Sequence, residues 1–164
     1  MKTFYIALGG NLGDVPAAFH SARKAITALA STRLMASSRC YRTPPIGPEG
    51  QPDYYNAIIT INSALEPLVL LNELQNIENQ HGRLRIEHWG ARTLDLDIIA
   101  IDKQTITLPR LTIPHPLMQQ RQFVLRPLCD IHPNWHHPLL NQTASTLLAN
   151  LLIVEKPLKR GLIW

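Results

Sequence analysis

Two acids stand two residues apart inside the otherwise apolar run Leu94-Asp95-Leu96-Asp97-Ile98-Ile99-Ala100-Ile101. Side chains at i and i+2 of a strand share a face, so Asp95 and Asp97 point the same way, roughly 7 Å apart at Cα. Carboxylates that close repel each other and lose hydration, unless a cation sits between them. The arrangement therefore asks for a metal. The acid face is read as continuing into Ile99 and Ile101, which argues against a strand whose acids simply face water.

Hard divalent ions such as Mg2+ take oxygen ligands and keep positions open for phosphate oxygens. Arg83, Arg85 and Arg92 lie just upstream, with planar forks suited to phosphate. Metal and arginines together read as a phosphate-transfer site.

The rest of the chain supplies an order of elements. Residues 2–9 read as a strand, followed by a turn at Gly9-Gly10-Asn11-Leu12-Gly13. Asp14 as a cap and Pro16 in the first turn open a helix with Val15, Ala18, Phe19, Ala22, Ile26 and Leu29 on one face. Residues 33–42 and 55–63 read as strands joined by the segment from Pro44 to Asp53. Pro67 then opens a second helix that carries Leu68, Leu71, Leu74 and Glu78 and ends at Gly82. Leu94–Ile101 is the fourth strand, and Asp102-Lys103-Gln104 is expected to turn it into a short pairing strand at Thr105–Leu108. The order βαββαβ is the ferredoxin-like α+β pattern, an antiparallel sheet with helices on one side. As C-terminal additions, a short helix is expected at Pro114–Gln120, a strand at Phe123–Leu125 and a last helix at Thr143–Leu152.

With 164 residues and 45% apolar content, the chain suits one domain, 1–164, able to bury a sizeable core. No apolar run approaches the ~20 residues of a membrane helix, and the amino terminus enters a strand without a cleavable signal pattern. This predicts a cytoplasmic protein with no membrane partner. Cys40 and Cys129 form no C-x-x-C pair, so they are expected as free, partly buried thiols. The net charge of +4, with eleven Arg among sixteen Lys+Arg, suits an anionic ligand but is modest for a nucleic-acid coat.

Four segments carry a resemblance in order and spacing. They are Tyr41-Arg42-Thr43-Pro44-Pro45, Gln51-Pro52-Asp53-Tyr54-Tyr55-Asn56-Ala57, the run from Trp89 to Ile99, and Leu111-Thr112-Ile113-Pro114-His115. Over roughly residues 3–130 the chain resembles the 6-hydroxymethyl-7,8-dihydropterin pyrophosphokinases of folate synthesis. The resemblance implies that the pterin hydroxymethyl oxygen attacks the β-phosphorus of MgATP, giving the pterin diphosphate and AMP.

By the same resemblance, Asp95 and Asp97 hold two Mg2+ ions bridging the triphosphate. Arg83 and Arg92 contact the phosphates, Trp89 closes over the site and Arg85 assists. Arg110, Thr112, His115 and Arg121 fall at family positions near the nucleotide, as does Ile98, with Gln75 and Glu78 as lesser contacts. Tyr54 and Phe123 match the family's stacking pair, and Asn56 matches its reader of the pterin edge. Backbone around Thr43, Pro44 and Ile46 completes the slot. A flat heterocycle rich in donors and acceptors needs such aromatic faces and a small edge-reading group.

Pro44–Asp53 is too broken by proline and glycine for a helix and too restricted for a floppy linker, which suits a semi-rigid lid. With Gly82 and Gly90 bracketing the arginines, both loops are expected to close over ATP and exclude water. Some residues depart from the family pattern. Gly10 stands where Ser is usual, Pro116 where an aromatic is common, and Arg126 where an apolar residue is commoner, and the arginine loop is short against some relatives.

A metal-dependent phosphodiesterase or nuclease would use the same acid pair, but usually with more carboxylates or histidines nearby. An RNA-binding module on this sheet would want aromatics on its central strands, where this chain has acids that repel phosphate. The expectation is an enzyme acting on small molecules, without nucleic acid, and monomeric.

Overall fold

The computed structural model describes residues 1–45, 49–82, 93–151 and 162–164. Strand β1 (Lys2–Gly10) buries Phe4, Ile6 and Leu8 on one face and turns Tyr5, Ala7 and Gly9 to the other. Helix α1 (Val15–Thr27) starts as its cap predicts, since Asp14 Oδ1 accepts from the Ala17 N–H at 3.1 Å. It buries Val15, Phe19, Ala22 and Ile26, one stripe at helical spacing. Strand β4 (Tyr54–Ser63) and helix α2 (Pro67–Gln80) follow the same logic, with α2 burying Leu70, Leu74, Ile77 and Glu78.

The stretch predicted as one strand over 33–42 is two: β2 (Thr32–Ser37) and β3 (Tyr41–Thr43), both paired antiparallel with β4. Ser38 makes the break. Its N–H donates to the Ile58 carbonyl at 2.8 Å, but the Ile58 N–H donates to the Ser38 hydroxyl, also at 2.8 Å, in place of a backbone carbonyl. Cys40 then leaves the ladder, and its N–H donates to the Leu162 carbonyl at 3.1 Å. Nearby, Trp164 Nε1 donates to the Ser38 carbonyl at 2.9 Å, and Arg23 lies 4.2 Å over its ring.

Strand β5 (Asp95–Ile101) completes a sheet ordered β2-β4-β1-β5, every neighbour antiparallel. This is the ferredoxin-like α+β core expected from the element order. A register shift between Tyr5 and Ile6 leaves Ile99 as an extra residue in β5. Ile99 and Ala100 therefore both face the second apolar cluster, whereas Ile101 joins the first with Leu96 and Ile98. The acid face thus continues into Ile99 but not into Ile101, as strict alternation had predicted.

The two helices of the core lie on one side, as the pattern predicts, and the C-terminal helices take the other. Alpha-helices α1 and α2 cover one face, while α3 (Gln122–Ile131) and α4 (Ala144–Ala149) pack on the other against Tyr5, Ile58 and Ile99. Phe123–Leu125, expected as a strand, lies inside α3, whose buried Val124, Leu125, Pro127 and Leu128 repeat at helical spacing. The strand expected at Thr105–Leu108 is β6 (Ile106–Leu108), and its partner is β7 (Leu111–Ile113) rather than β5. Asp102 keeps the chain on β1 instead: its N–H donates to the Thr3 carbonyl at 2.8 Å and its carboxylate accepts from the Thr3 N–H at 3.1 Å. The helix expected at Pro114–Gln120 is a short 3-10 turn at Met118–Gln120. Among the described residues no helix is long and apolar enough to cross a membrane.

Candidate functional site

The register of the central strands builds the site. Opposite Gly9 stand Asn56 on β4 and Asp95 on β5, and opposite Ala7 stand Ile58 and Asp97. Directly opposed residues share a face, so Asn56, Asp95 and Asp97 look toward the α3 side. Tyr54 is two residues before Asn56 and shares that face, and Tyr41 stands opposite Asn56 on the outer strand β3. Gly9 matters here because a Cβ on it would meet Asn56 Oδ1 at 3.2 Å. The missing side chain lets the Asn56 amide oxygen lie close over β1, on the strand next to the acids. The sequence offered no sign of this, since Gly9 reads as part of a turn until the strand register is known.

Asp95 and Asp97 are half-buried at the start of β5. Glu78 joins them from α2, only 2% exposed, with Oε2 accepting from the Leu96 N–H at 3.2 Å. Burial first, then the hydrogen bond and charge of Asp95, pushes its carboxyl up to about 9, with Asp97 adding repulsion. Glu78, expected as a lesser contact of the nucleotide, is a buried neutral acid under the strand. Gln75, one turn earlier, is exposed and accepts from Arg110 Nη2 at 3.2 Å, while Asn72 accepts from the same nitrogen at 2.7 Å. Arg110 and Gln75 are therefore brought together, at the rim.

His115 and Arg121 come to the same side. Burial, then the Arg121 charge, lowers the His115 pKa, and Asp95 opposes that shift. The Leu117 N–H donates to His115 Nδ1 at 3.2 Å, so the neutral ring carries its proton on Nε2. The Arg121 guanidinium lies 5.5 Å from the Phe123 ring centre, at the start of α3. Thr112 is exposed on β7, and the Ile98 side chain is buried in the α1/α2 cluster, which leaves only its backbone to offer. Thr43 ends β3 opposite Tyr54, and Pro44 follows it.

Ile46, Arg83, Arg85, Trp89 and Arg92 lie outside the described residues. The described ends of their loops are held. Gly82 takes φ 72°, a left-handed turn that closes α2, and Thr93 Oγ1 donates to the His81 carbonyl at 2.8 Å. In the Pro44–Asp53 segment, Arg42 Nε pairs with Asp53 at 3.2 Å, and Asn11 Nδ2 donates to Gln51 and to the Pro52 carbonyl, each at 3.1 Å. Asn11 and Gln51 were not singled out by sequence reading.

Carboxylate oxygens are hard donors, and the mutual repulsion of Asp95 and Asp97 is relieved by a divalent cation, so these two residues fit Mg2+. Among the described residues no group of three or more His, Cys, Asp or Glu is arranged as a metal cage. An ion held by two acids keeps coordination positions for water and phosphate oxygens.

Residues 5–133 match the family model described as 7,8-dihydro-6-hydroxymethylpterin-pyrophosphokinase (HPPK). A 2-amino-4-hydroxy-6-hydroxymethyldihydropteridine pyrophosphokinase of Haemophilus influenzae is 50% identical over 131 residues, 80% of this chain and 82% of that one. The protein of the same name from Pseudomonas aeruginosa is 45% identical over 138 residues, 84% of this chain and 85% of that one. Among solved structures, Plasmodium falciparum HPPK-DHPS with pteroate superimposes with a TM-score of 0.72 at 14% identity, covering 90% of this chain. This chain spans 42% of that longer one, and the likeness concerns the fold alone.

Proposed function

The chain belongs to the 7,8-dihydro-6-hydroxymethylpterin-pyrophosphokinase family, and from that premise we propose that it transfers diphosphate from ATP to 6-hydroxymethyl-7,8-dihydropterin. The hydroxymethyl oxygen bonds to the β-phosphorus as the bond from that phosphorus to the α,β-bridging oxygen breaks. AMP leaves with the bridging oxygen, and the hydroxyl gives up its proton.

One observation carries the reading: Asn56, Gly9 and Asp95 lie side by side on three adjacent strands. Two strand spacings separate the amide from the acid, about 10 Å, a span that a two-ring heterocycle with a one-carbon arm bridges. Asn56 reads the pterin edge, Tyr54 and Phe123 cover its faces, and the backbone of Thr43, Pro44 and Ile46 closes the slot. The hydroxymethyl arm then points across Gly9 toward the acids.

Asp95 and Asp97 hold Mg2+, two ions by family resemblance, whose chemistry when bound is to neutralise phosphoryl oxygens and acidify the attacking hydroxyl. His115 offers its Nε2–H to the nucleotide as a neutral donor, and Arg121 adds charge beside Phe123. Arg110, held by Asn72 and Gln75, marks the nucleotide rim with Thr112 and the Ile98 backbone. By family resemblance Arg83, Arg85 and Arg92 meet the phosphates and Trp89 covers them. With the Pro44–Asp53 lid they exclude water, so catalysis is positioning and electrostatics. We take the chain to act as one domain and as a monomer.

The test is to mix the protein with Mg2+, ATP and the hydroxymethyl dihydropterin and to identify the products. AMP and pterin diphosphate in equal amounts support the reading. ADP overturns it, and so does AMP released at the same rate without the pterin, which would favour a phosphodiesterase.

A further inference from the structure

The side chains of Tyr41 and Asp130 join the outer strand of the sheet to α3, and no step above uses them. Tyr41 is buried, 3% exposed, and its hydroxyl lies 2.7 Å from Asp130 Oδ1 and 2.6 Å from Oδ2. Hydroxyl-to-carboxylate bonds this short are charge-assisted and stronger than neutral ones. The Arg39 N–H also donates to Asp130 Oδ2, at 3.4 Å, and Arg126 sits 6.0 Å from the Tyr41 ring centre. Burial first, then Asp130, raises the Tyr41 pKa, so the phenol keeps its proton and stays a donor.

The placement of this pair links it to the pterin slot. Tyr41 stands directly opposite Asn56 in the β3–β4 ladder. On α3, Asp130 follows Phe123 by seven residues, two turns along one stripe, and Arg126 lies between them on that same stripe. One wall of the slot is thus next to Tyr41, and the other shares a helix face with Asp130. A roll of α3 by about 10° would carry a ring at its ~5–6 Å outer radius about 1 Å sideways. A shift of that size is enough to degrade stacking on a flat ligand. Pro127, which cannot donate to the Phe123 carbonyl four residues back, removes one of the bonds that would otherwise stiffen this turn.

We propose that the Tyr41–Asp130 hydrogen bond is a latch that sets the gap between Asn56 and Phe123, making both its members positioning residues for pterin binding. The proposal rests on the pterin-slot reading given above. It requires that the latch act mainly on the pterin, because Asp95, Asp97, His115 and Arg110 are held by other elements and only Arg121, at the start of α3, moves with that helix.

The experiment measures KM for the pterin and for MgATP separately, with melting temperature, in Tyr41→Phe, Asp130→Asn and Asn56→Ala. Tyr41→Phe is expected to raise the pterin KM about fivefold, with the MgATP KM within about twofold of wild type. Asp130→Asn, which keeps one acceptor oxygen, should give a smaller rise. A pterin KM in Tyr41→Phe equal to wild type, while Asn56→Ala raises it, overturns the latch and leaves the slot standing. Both KM values rising together in step with lost melting temperature also overturn it. An unchanged pterin KM in Asn56→Ala overturns the slot itself, and the latch with it.

Discussion

Glu78 accepts a 3.2 Å hydrogen bond from the backbone N–H of Leu96, the residue that separates Asp95 from Asp97. An acid from α2 is thereby buried beneath the strand whose two acids face the site. Its raised pKa makes it neutral at ordinary pH, so an amide of the same shape should replace it well. Glu78→Gln is expected to cost less than about 1 kcal/mol in denaturant unfolding without divalent metal. Glu78→Ala, which leaves a void and a buried N–H without its acceptor, is expected to cost about 2–4 kcal/mol. Equal losses in the two variants would contradict the neutral, hydrogen-bonded role.

Gly9 separates the Asn56 amide from Asp95, and its backbone is ordinary strand, so a substitution there tests space alone. The added Cβ of Gly9→Ala meets Asn56 Oδ1 at 3.2 Å, tight enough that the amide must shift by a few tenths of an ångström. The expected result is a pterin KM raised severalfold with a stability loss of at most about 1–3 kcal/mol. Steady-state kinetics checks this, and an unchanged pterin KM would show that the place of the Asn56 amide over Gly9 does not matter to pterin binding.

Cys40 is 1% exposed, and burial, its main cause, pushes the thiol up to about 12. At pH 8 only about one thiol in ten thousand is then ionised, and reactivity grows only as pH rises toward that value. In a Cys129→Ser background, Ellman's reagent should leave native Cys40 unmodified. Trp164→Ala removes the indole bond to the Ser38 carbonyl next to the Cys40–Leu162 contact, and is expected to speed modification at least about tenfold. Native Cys40 reacting like a free thiol would refute the buried assignment.

Much of the core was legible because its signals are local. The stripe Val15, Phe19, Ala22 and Ile26, the cap at Asp14 and the alternation of Phe4, Ile6 and Leu8 each need only a few neighbouring residues to read. Misreadings came where a distant partner decides. The break at Ser38 depends on Ile58, and the path after Ile101 depends on Thr3. Phe123–Leu125 was too short to separate strand from helix, and Pro127 argued against a helix that nonetheless buries it.

The site divides in the same way. Asp95, Asp97, Asn56 and His115 stand in motifs, and the strand register and loop geometry bring them to one side. Gly9, Tyr41 with Asp130, and the burial of Glu78 exist only once strands and helices are paired, so no local pattern announces them.

On the proposed function, diphosphate transfer depends on a metal anchored by the Asp95–Asp97 pair. The direct measurement is turnover of Asp97→Ala, with ATP and the hydroxymethyl dihydropterin, across a range of Mg2+ concentrations, after checking that the variant folds. Loss of turnover by at least about a hundredfold at every concentration is expected, since a ligand that holds the catalytic ion is gone. Wild-type turnover in Asp97→Ala would contradict the metal role of the pair.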